Sequence, residues 1–212
     1  MKTSSRSAGA TRSTTLDLAE LADETLVDEA LAGDRDAFGA LVQRHQRGLV
    51  NYIFRLVGSR DIATDLAQEV FLKVFVGLQS FDPRYRFTTW LYRIASNGAI
   101  DHLRRKQPKT LSLSQPPAED GAPQAPPLAG SGPTPDDVLR LRELETRLNH
   151  AIGALPPAYR QLILLRHKQH CRYDEIARIT HLPLGTVKNR IFRAREILRG
   201  QLTDILDPEV RS

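Results

Sequence analysis

The sequence predicts an all-α protein: two small helical domains joined by a proline-rich flexible linker, the second ending in a helix-turn-helix. Three observations carry this. Apolar residues recur at intervals of three and four through residues 23–107 and again through 136–202. No run shows sustained two-residue alternation with strand-like flanks. Eight prolines fall between Pro108 and Pro135, with Gly121, Gly130 and Gly132 among them, a density that neither helix nor strand tolerates.

In chain order, residues 1–22 are rich in Ser, Thr and Ala and form a disordered N-terminal extension with little to bury. A first helix is predicted from Asp23 to Ala32, stopping at Gly33, and a second from Arg35 to Val57, stopping at Gly58. The third runs from Asp61 to Leu78. Its Ile62, Leu66, Val70 and Val74, with Phe71 and Phe75, are candidate core. The fourth starts at Thr88 or Thr89 as N-cap and ends near Arg105, with Trp90, Leu91 and Ile94 directed inward. The linker, 108–135, would average roughly 30 Å end to end, tethering the domains without fixing them. In the second domain, 136–202, Val138, Leu141, Leu144, Leu148 and Ile152 mark a helix over 136–153. Pro156-Pro157 opens another, about Ala158–Lys168, followed by Tyr173–Thr180 and then Gly185–Leu202. Residues 203–212 are a C-terminal tail.

Composition narrows the class. The chain of 212 residues is 41% hydrophobic and 26% charged, with a net charge of +5, and no apolar run nears the ~20 residues a membrane span needs. The first fifteen residues are basic but lack the apolar stretch of a secretory signal. The single cysteine, Cys171, excludes an internal disulfide and suits a reducing cytoplasm. Charge is segregated. Eight acids and one base lie between Leu16 and Asp36, while seven bases and one acid lie between Arg84 and Lys109. Concentrated basic charge is the footprint of a polyanionic partner.

In YDEIARITHLPLGTVKNRIFRARE, residues 173–196, Ile176, Ala177 and Ile179 supply the apolar side of a short helix. His181-Leu182-Pro183 make a turn, with Gly185 relieving its crowding. Val187, Ile191, Ala194 and Leu198 then recur on one face, and Lys188, Asn189, Arg190, Arg193, Arg195 and Arg199 occupy the rest. A helix seated in the major groove needs this division into an apolar stripe and a donor face. A solvated surface helix would show it too, but the short helix and turn in front argue for a helix-turn-helix. Thr186, Lys188, Asn189 and Arg190 would lie nearest the bases, with Arg193 and Arg195 nearer phosphates. The motif alone also fits a stand-alone transcriptional regulator.

In the first domain, Asp65, Gln68, Glu69 and Leu72 share one helical face, whose acids and exposed leucine suit a protein partner better than DNA. Residues 81–106 mix Phe81, Tyr85, Phe87, Trp90 and Tyr92 with Arg84, Arg86, Arg93, Arg104 and Arg105. That combination suits single-stranded DNA, because rings stack on unpaired bases while cations follow the backbone. Several of these rings must be core instead.

At these residues the chain resembles a known family. Asp65-Leu66-Ala67-Gln68-Glu69-Val70-Phe71, Phe81-Asp82-Pro83, Phe87, Trp90-Leu91-Tyr92-Arg93-Ile94-Ala95 and Asn97 resemble the N-terminal domain of bacterial extracytoplasmic-function sigma factors. Leu155-Pro156-Pro157, Gly185-Thr186-Val187-Lys188-Asn189-Arg190 and Arg193-Ala194-Arg195 resemble their C-terminal domain. The resemblance implies that Asp65, Gln68, Glu69 and Leu72 dock on the β′ clamp helices of core RNA polymerase, with further contacts to the β subunit. It implies that Arg84, Tyr85, Arg86 and Phe87 capture the minus-ten element, with Asn97, Asp101, Arg104 and Arg105 on the duplex upstream. Thr186, Lys188, Asn189, Arg190, Arg193 and Arg195 would contact the minus-thirty-five element, and an anti-sigma factor would hold the protein inactive.

One segment departs from the family pattern. His167-Lys168-Gln169-His170-Cys171-Arg172 stands where a short turn and a capping Ser or Thr are usual, and Arg172 cannot cap. His167, His170 and Cys171 have metal-ligand spacing only if the helix continues. A turn is expected there and a fourth ligand is missing, so no metal or cofactor is assigned. No glycine-rich phosphate loop, HExxH helix or nucleophile elbow is present, and no enzymatic activity is expected.

Overall fold

The computed structural model describes residues 18, 20–106 and 135–206. The predicted linker lies outside the described residues except for Pro135, as do residues 1–17 and 207–212. Among the described residues are eight α-helices and no strand: α1 (Asp23–Leu31), α2 (Arg35–Val57), α3 (Arg60–Gly77), α4 (Phe87–Lys106), α5 (Pro135–Ala154), α6 (Pro157–His167), α7 (Tyr173–Thr180) and α8 (Leu184–Leu206). A short 3₁₀ turn, Leu78–Ser80, follows α3.

Helix ends follow local chemistry. The Asp34 carboxylate caps α2, accepting from the backbone N–H groups of Asp36 (2.8 Å) and Ala37 (3.3 Å). Gly58, at φ +79°, closes α2 in the left-handed conformation that costs glycine nothing, its N–H reaching the Phe54 carbonyl at 2.8 Å. Pro157 opens α6 where no N–H is needed.

Three expectations are corrected here. The α4 helix begins at Phe87, so neither Thr88 nor Thr89 is its N-cap; Thr89 is buried within the helix. The Phe75 ring is 54% exposed rather than core: α3 turns its side chain outward, where it meets the Phe38 ring edge to face at 5.0 Å. The packed part of the chain reaches back to Leu18, which is buried and whose carbonyl accepts from Arg44 at 3.4 Å.

Leu41, Leu49, Tyr52, Ile53, Leu56, Val74 and Leu91 form the centre of the first domain, all fully buried. Trp90 is buried beside them and Ile94 partly so. In the second domain Leu155, Leu162, Leu164, Ile176, Ile179, Val187, Ile191 and Ala194 do the same. Of the stripe predicted on α5, Ile152 is buried and Leu148 partly buried, Leu144 is 42% exposed, and the side chains of Val138 and Leu141 lie outside the described residues.

The two domains pack on each other. The Arg160 guanidinium donates to the Leu56 carbonyl at the end of α2 (2.9 Å) and to the carbonyls of Leu155 (3.0 Å) and Gly153. Arg55 donates to Asn149 and the Tyr92 hydroxyl to Gln169, each at 2.5 Å. These contacts hold the two domains against each other.

Asp23 meets α2 about three turns earlier, accepting from Arg44 (2.7 Å) and pairing with His45 (2.8 Å). Burial alone would raise its carboxyl, but the hydrogen bonds and charges of His45 and Arg44 outweigh that and hold it below the usual carboxylate range. A carboxyl lowered in the folded state adds stability above its unfolded value, near 3.9, and that stability is lost as pH falls through the folded value. Asp23→Asn is therefore expected to cost about 1 kcal/mol at pH 7, or about 2–4 °C in melting temperature. The difference from the parent should shrink toward pH 3. Thermal melts of both proteins at the two pH values check this; an undiminished difference at pH 3 would rule the ion pair out as its source.

Candidate nucleic-acid and protein interfaces

On α3, spacing brings Asp65, Gln68, Glu69 and Leu72 to one surface, and all four are exposed. The structure adds what spacing did not show. Gln68 and Leu72 line an apolar groove between α2 and α3, with Phe38, Val42, Phe71 and Phe75. Leu72 is 66% exposed and Val76 83%. A monomer seldom leaves such neighbouring large apolar side chains in water without a partner for them. Sequence reasoning missed Phe38, Phe75 and Val76. For Phe75 and Val76 the signal was available, because they stand seven and eight residues after Gln68 and continue its face. Asp65 and Glu69 lie beside the groove, and Glu69 pairs loosely with Lys73 at 3.8 Å.

The segment between α3 and α4 is held by two buried rings. Phe81 and Phe87 meet edge to face at 6.1 Å, and Trp90 packs on both. Phe87 also lies 5.6 Å from the His45 ring and is 1% exposed. This corrects the expectation for Phe87: its ring anchors the loop in the core and has no face left for a base. Arg84, Tyr85 and Arg86 are exposed on the loop. Asp82 shapes it, accepting from the Arg84 backbone N–H (3.0 Å) and gripping the Arg84 guanidinium (2.6 Å). Hydrogen bonds from Arg84 hold the Asp82 carboxyl below its ordinary range. Along α4, Asn97, Asp101 and Arg104 follow at helical spacing, with Arg105 beside them, and all are exposed. Arg104 reaches Asp101 at 3.7 Å.

In the second domain α7 and α8 form the expected helix-turn-helix. His181 makes the turn in the left-handed conformation, φ +54°. Gly185 is not needed for space, since a side chain there would meet nothing within 4 Å. Val187, Ile191 and Ala194 seat α8 in the core. Lys188, Asn189, Arg193 and Arg195 are exposed, while Thr186 and Arg190 are half-buried. Arg195 approaches the His167 ring at 3.3 Å. Burial first, and then the neighbouring Arg195 and Arg166 charges, hold the His167 imidazole below its ordinary range.

At the start of α7 Arg172 offers no side-chain cap, as expected, but Glu175, at the third helical position, accepts from the Arg172 backbone N–H at 2.7 Å and so supplies one half of a capping box. The α6 helix ends at His167 and His170 turns at φ +54°, so His167, His170 and Cys171 share no helical face. Cys171 points into the protein, and burial, with the Glu175 charge, pushes its thiol up to about 12. Among the described residues no group of three His, Cys, Asp or Glu side chains could hold a metal ion. Nor is any helix among them long and apolar enough to cross a membrane.

An aromatic-basic loop and a helix-turn-helix in one all-helical chain define a two-part promoter-recognition protein. Residues 41–109 match the sigma-70 region 2 family and residues 145–198 the sigma-70 region 4 family. The ECF RNA polymerase sigma factor SigW of Bacillus subtilis is 35% identical over 84% of this chain and 96% of that protein. The ECF RNA polymerase sigma-E factor of Escherichia coli is 35% identical over 88% of this chain and 97% of its own. Among solved structures, CnrH in complex with the cytosolic domain of CnrY superposes with a TM-score of 0.59 at 25% identity, covering 88% of this chain and 98% of that one. The sigma factor RpoE of Bartonella quintana, solved with the anti-sigma factor NepR, has the same fold, with a TM-score of 0.57 at 21% identity over 78% of this chain and 96% of its own. The chain belongs to the extracytoplasmic-function sigma factors, which direct core RNA polymerase to promoters. The stand-alone regulator leaves region 2 unexplained and is set aside.

Proposed function

We propose that the α2–α3 groove, with Gln68 and Leu72 on it and Asp65 and Glu69 beside it, docks on the β′ clamp helices. Loop residues Arg84, Tyr85 and Arg86 then hold the opened minus-ten strand. Asn97, Asp101, Arg104 and Arg105 contact the duplex upstream, and α8 contacts the minus-thirty-five element. The observation that carries this reading is the exposed apolar groove: DNA has no use for it, and a polymerase helix does. The chain would act in the cytoplasm under an anti-sigma partner, as the family resemblance implies, and would leave the chemistry of RNA synthesis to polymerase.

The test is transcription in vitro with purified core RNA polymerase, this protein and a pool of genomic promoter fragments. Start sites that appear only on adding the protein support the reading and yield the promoter motif. Co-purification with core but no initiation would make the chain an adaptor instead. At the promoters so found, Lys188→Ala and Arg190→Ala are each expected to lower initiation about 5–150-fold, the worth of a good base contact of ~1–3 kcal/mol, with holoenzyme assembly unchanged. Equal initiation by parent and variants would remove α8 from promoter recognition.

A further inference from the structure

The loop assigned to the minus-ten strand is shaped by Asp82, a residue outside that assignment. Phe81 and Phe87 fix the two ends of the loop in the core. Between them the Asp82 carbonyl accepts from the Tyr85 N–H at 3.1 Å, with Pro83 at the second position of the turn, where its fixed φ is favoured. The Asp82 carboxylate accepts from the Arg84 N–H at 3.0 Å and so closes the same turn a second time. It also accepts from the Arg84 guanidinium, from Nε at 2.9 and 3.0 Å and from Nη2 at 2.6 Å, in a two-point fork. The guanidinium so held lies over the Tyr85 ring, 5.9 Å from its centre.

We infer that Asp82 is a positioning residue for the minus-ten strand: it sets the turn that presents Tyr85 and keeps Arg84 inside the loop, leaving Arg86 as the loop's cation for phosphate. The inference rests on the assignment of this loop to the strand, and within it Arg84 acts through Asp82 and not on DNA. Charge argues for this division. Asp82 and Arg84 cancel, so the loop offers the strand one net positive charge, on Arg86. A phosphate that took Arg84 would displace a carboxylate already in contact and then lie beside its bare negative charge. A phosphate that took Arg86 would displace the Glu175 carboxylate, which stands farther off at 3.9 Å and belongs to α7. The Asp82–Arg84 fork spans two residues of one turn, so it travels with the loop wherever the second domain lies. A turn closed twice also spares the strand the cost of ordering Tyr85 when it binds.

The test uses holoenzyme at the promoters found by transcription, with permanganate reactivity of the minus-ten thymines as the measure of opening. Asp82→Ala should lower opening about fivefold, the worth of one hydrogen bond lost from the turn, with core binding and melting temperature unchanged. Asp82→Asn keeps an oxygen for the Arg84 N–H and gives up only the charge, so it should open promoters at least as well as the parent. Asp82→Ala opening like the parent, or Asp82→Asn failing as badly as Asp82→Ala, overturns the inference. The place of Arg84 is read from templates in which a single neutral methylphosphonate linkage is walked across the minus-ten strand. Arg86→Ala should cost nothing further on the template whose neutral linkage replaces the phosphate it meets. Arg84→Ala should cost the same on every template. A linkage at which Arg84→Ala ceases to matter would make Arg84 a strand contact and overturn the inference. Failure of the underlying assignment looks different: Tyr85→Ala and Arg86→Ala would then leave promoter opening by the holoenzyme untouched.

Discussion

Leu72→Arg and Phe75→Asp are each expected to weaken binding to core RNA polymerase at least about 100-fold, equivalent to about 2.7 kcal/mol. The size follows from where the side chains stand. Leu72 and Phe75 are the large exposed apolar groups on a concave surface that Phe38, Val42, Phe71 and Gln68 also line. Side chains that fill such a desolvated centre dominate an interface, and a charge placed there must be buried without a partner. Both are more than half exposed in the free chain, so neither substitution should lower its melting temperature appreciably. Asp65→Arg, beside the groove, should act differently, slowing association and weakening the fall of the association rate with salt. Gln68→Ala should weaken assembly less than either apolar substitution, since it removes a polar contact without adding a charge. Affinity measured by fluorescence polarisation with labelled protein and purified core separates these cases. Normal binding by Leu72→Arg and Phe75→Asp would show that the groove is not the docking surface.

What the sequence made legible was local. Gly58 after α2 and Pro157 at the start of α6 act on neighbours within four residues, and helix ends could be read from them. The alignment of Asp65, Gln68, Glu69 and Leu72 follows from helical pitch alone. What was not legible depends on contacts between distant residues. Phe75 and Phe87 are the same residue type in similar settings, yet one is exposed and the other buried. The difference lies in which neighbours stand opposite: Phe81, Trp90 and His45 enclose Phe87, while the one ring beside Phe75 among the described residues is Phe38, and the rest of its surroundings form an open groove. The bond at the start of α7 comes from inside the helix, from the Glu175 carboxylate three residues after Arg172, and not from the residue at the cap position. The same carboxylate also contacts Arg86 and Thr89 across more than eighty residues of chain, a relation no spacing rule contains.

The separation of Phe87 from Tyr85 sets the second large effect. Tyr85→Ala with Arg86→Ala is expected to reduce promoter opening about 5–150-fold, the range expected from losing one base–aromatic stack of ~1–3 kcal/mol. Holoenzyme assembly should be unchanged, because both side chains stand outside the groove. Phe87→Ala should instead remove a fully buried ring from the contacts among Phe81, Trp90 and His45 and cost ~3–5 kcal/mol of stability. Its loss of activity would then follow the fall in melting temperature and extend to core binding. Permanganate reactivity of thymines in the minus-ten region measures opening directly, and a thermal melt of each variant sorts the two causes. Tyr85→Phe, which keeps the stacking face and loses only the hydroxyl, should open promoters nearly as well as the parent. If it fails as badly as Tyr85→Ala, the ring is not acting by stacking. If Phe87→Ala melts like the parent yet cannot open DNA, the buried anchor is itself part of the strand site, and the loop must rearrange when the strand is bound.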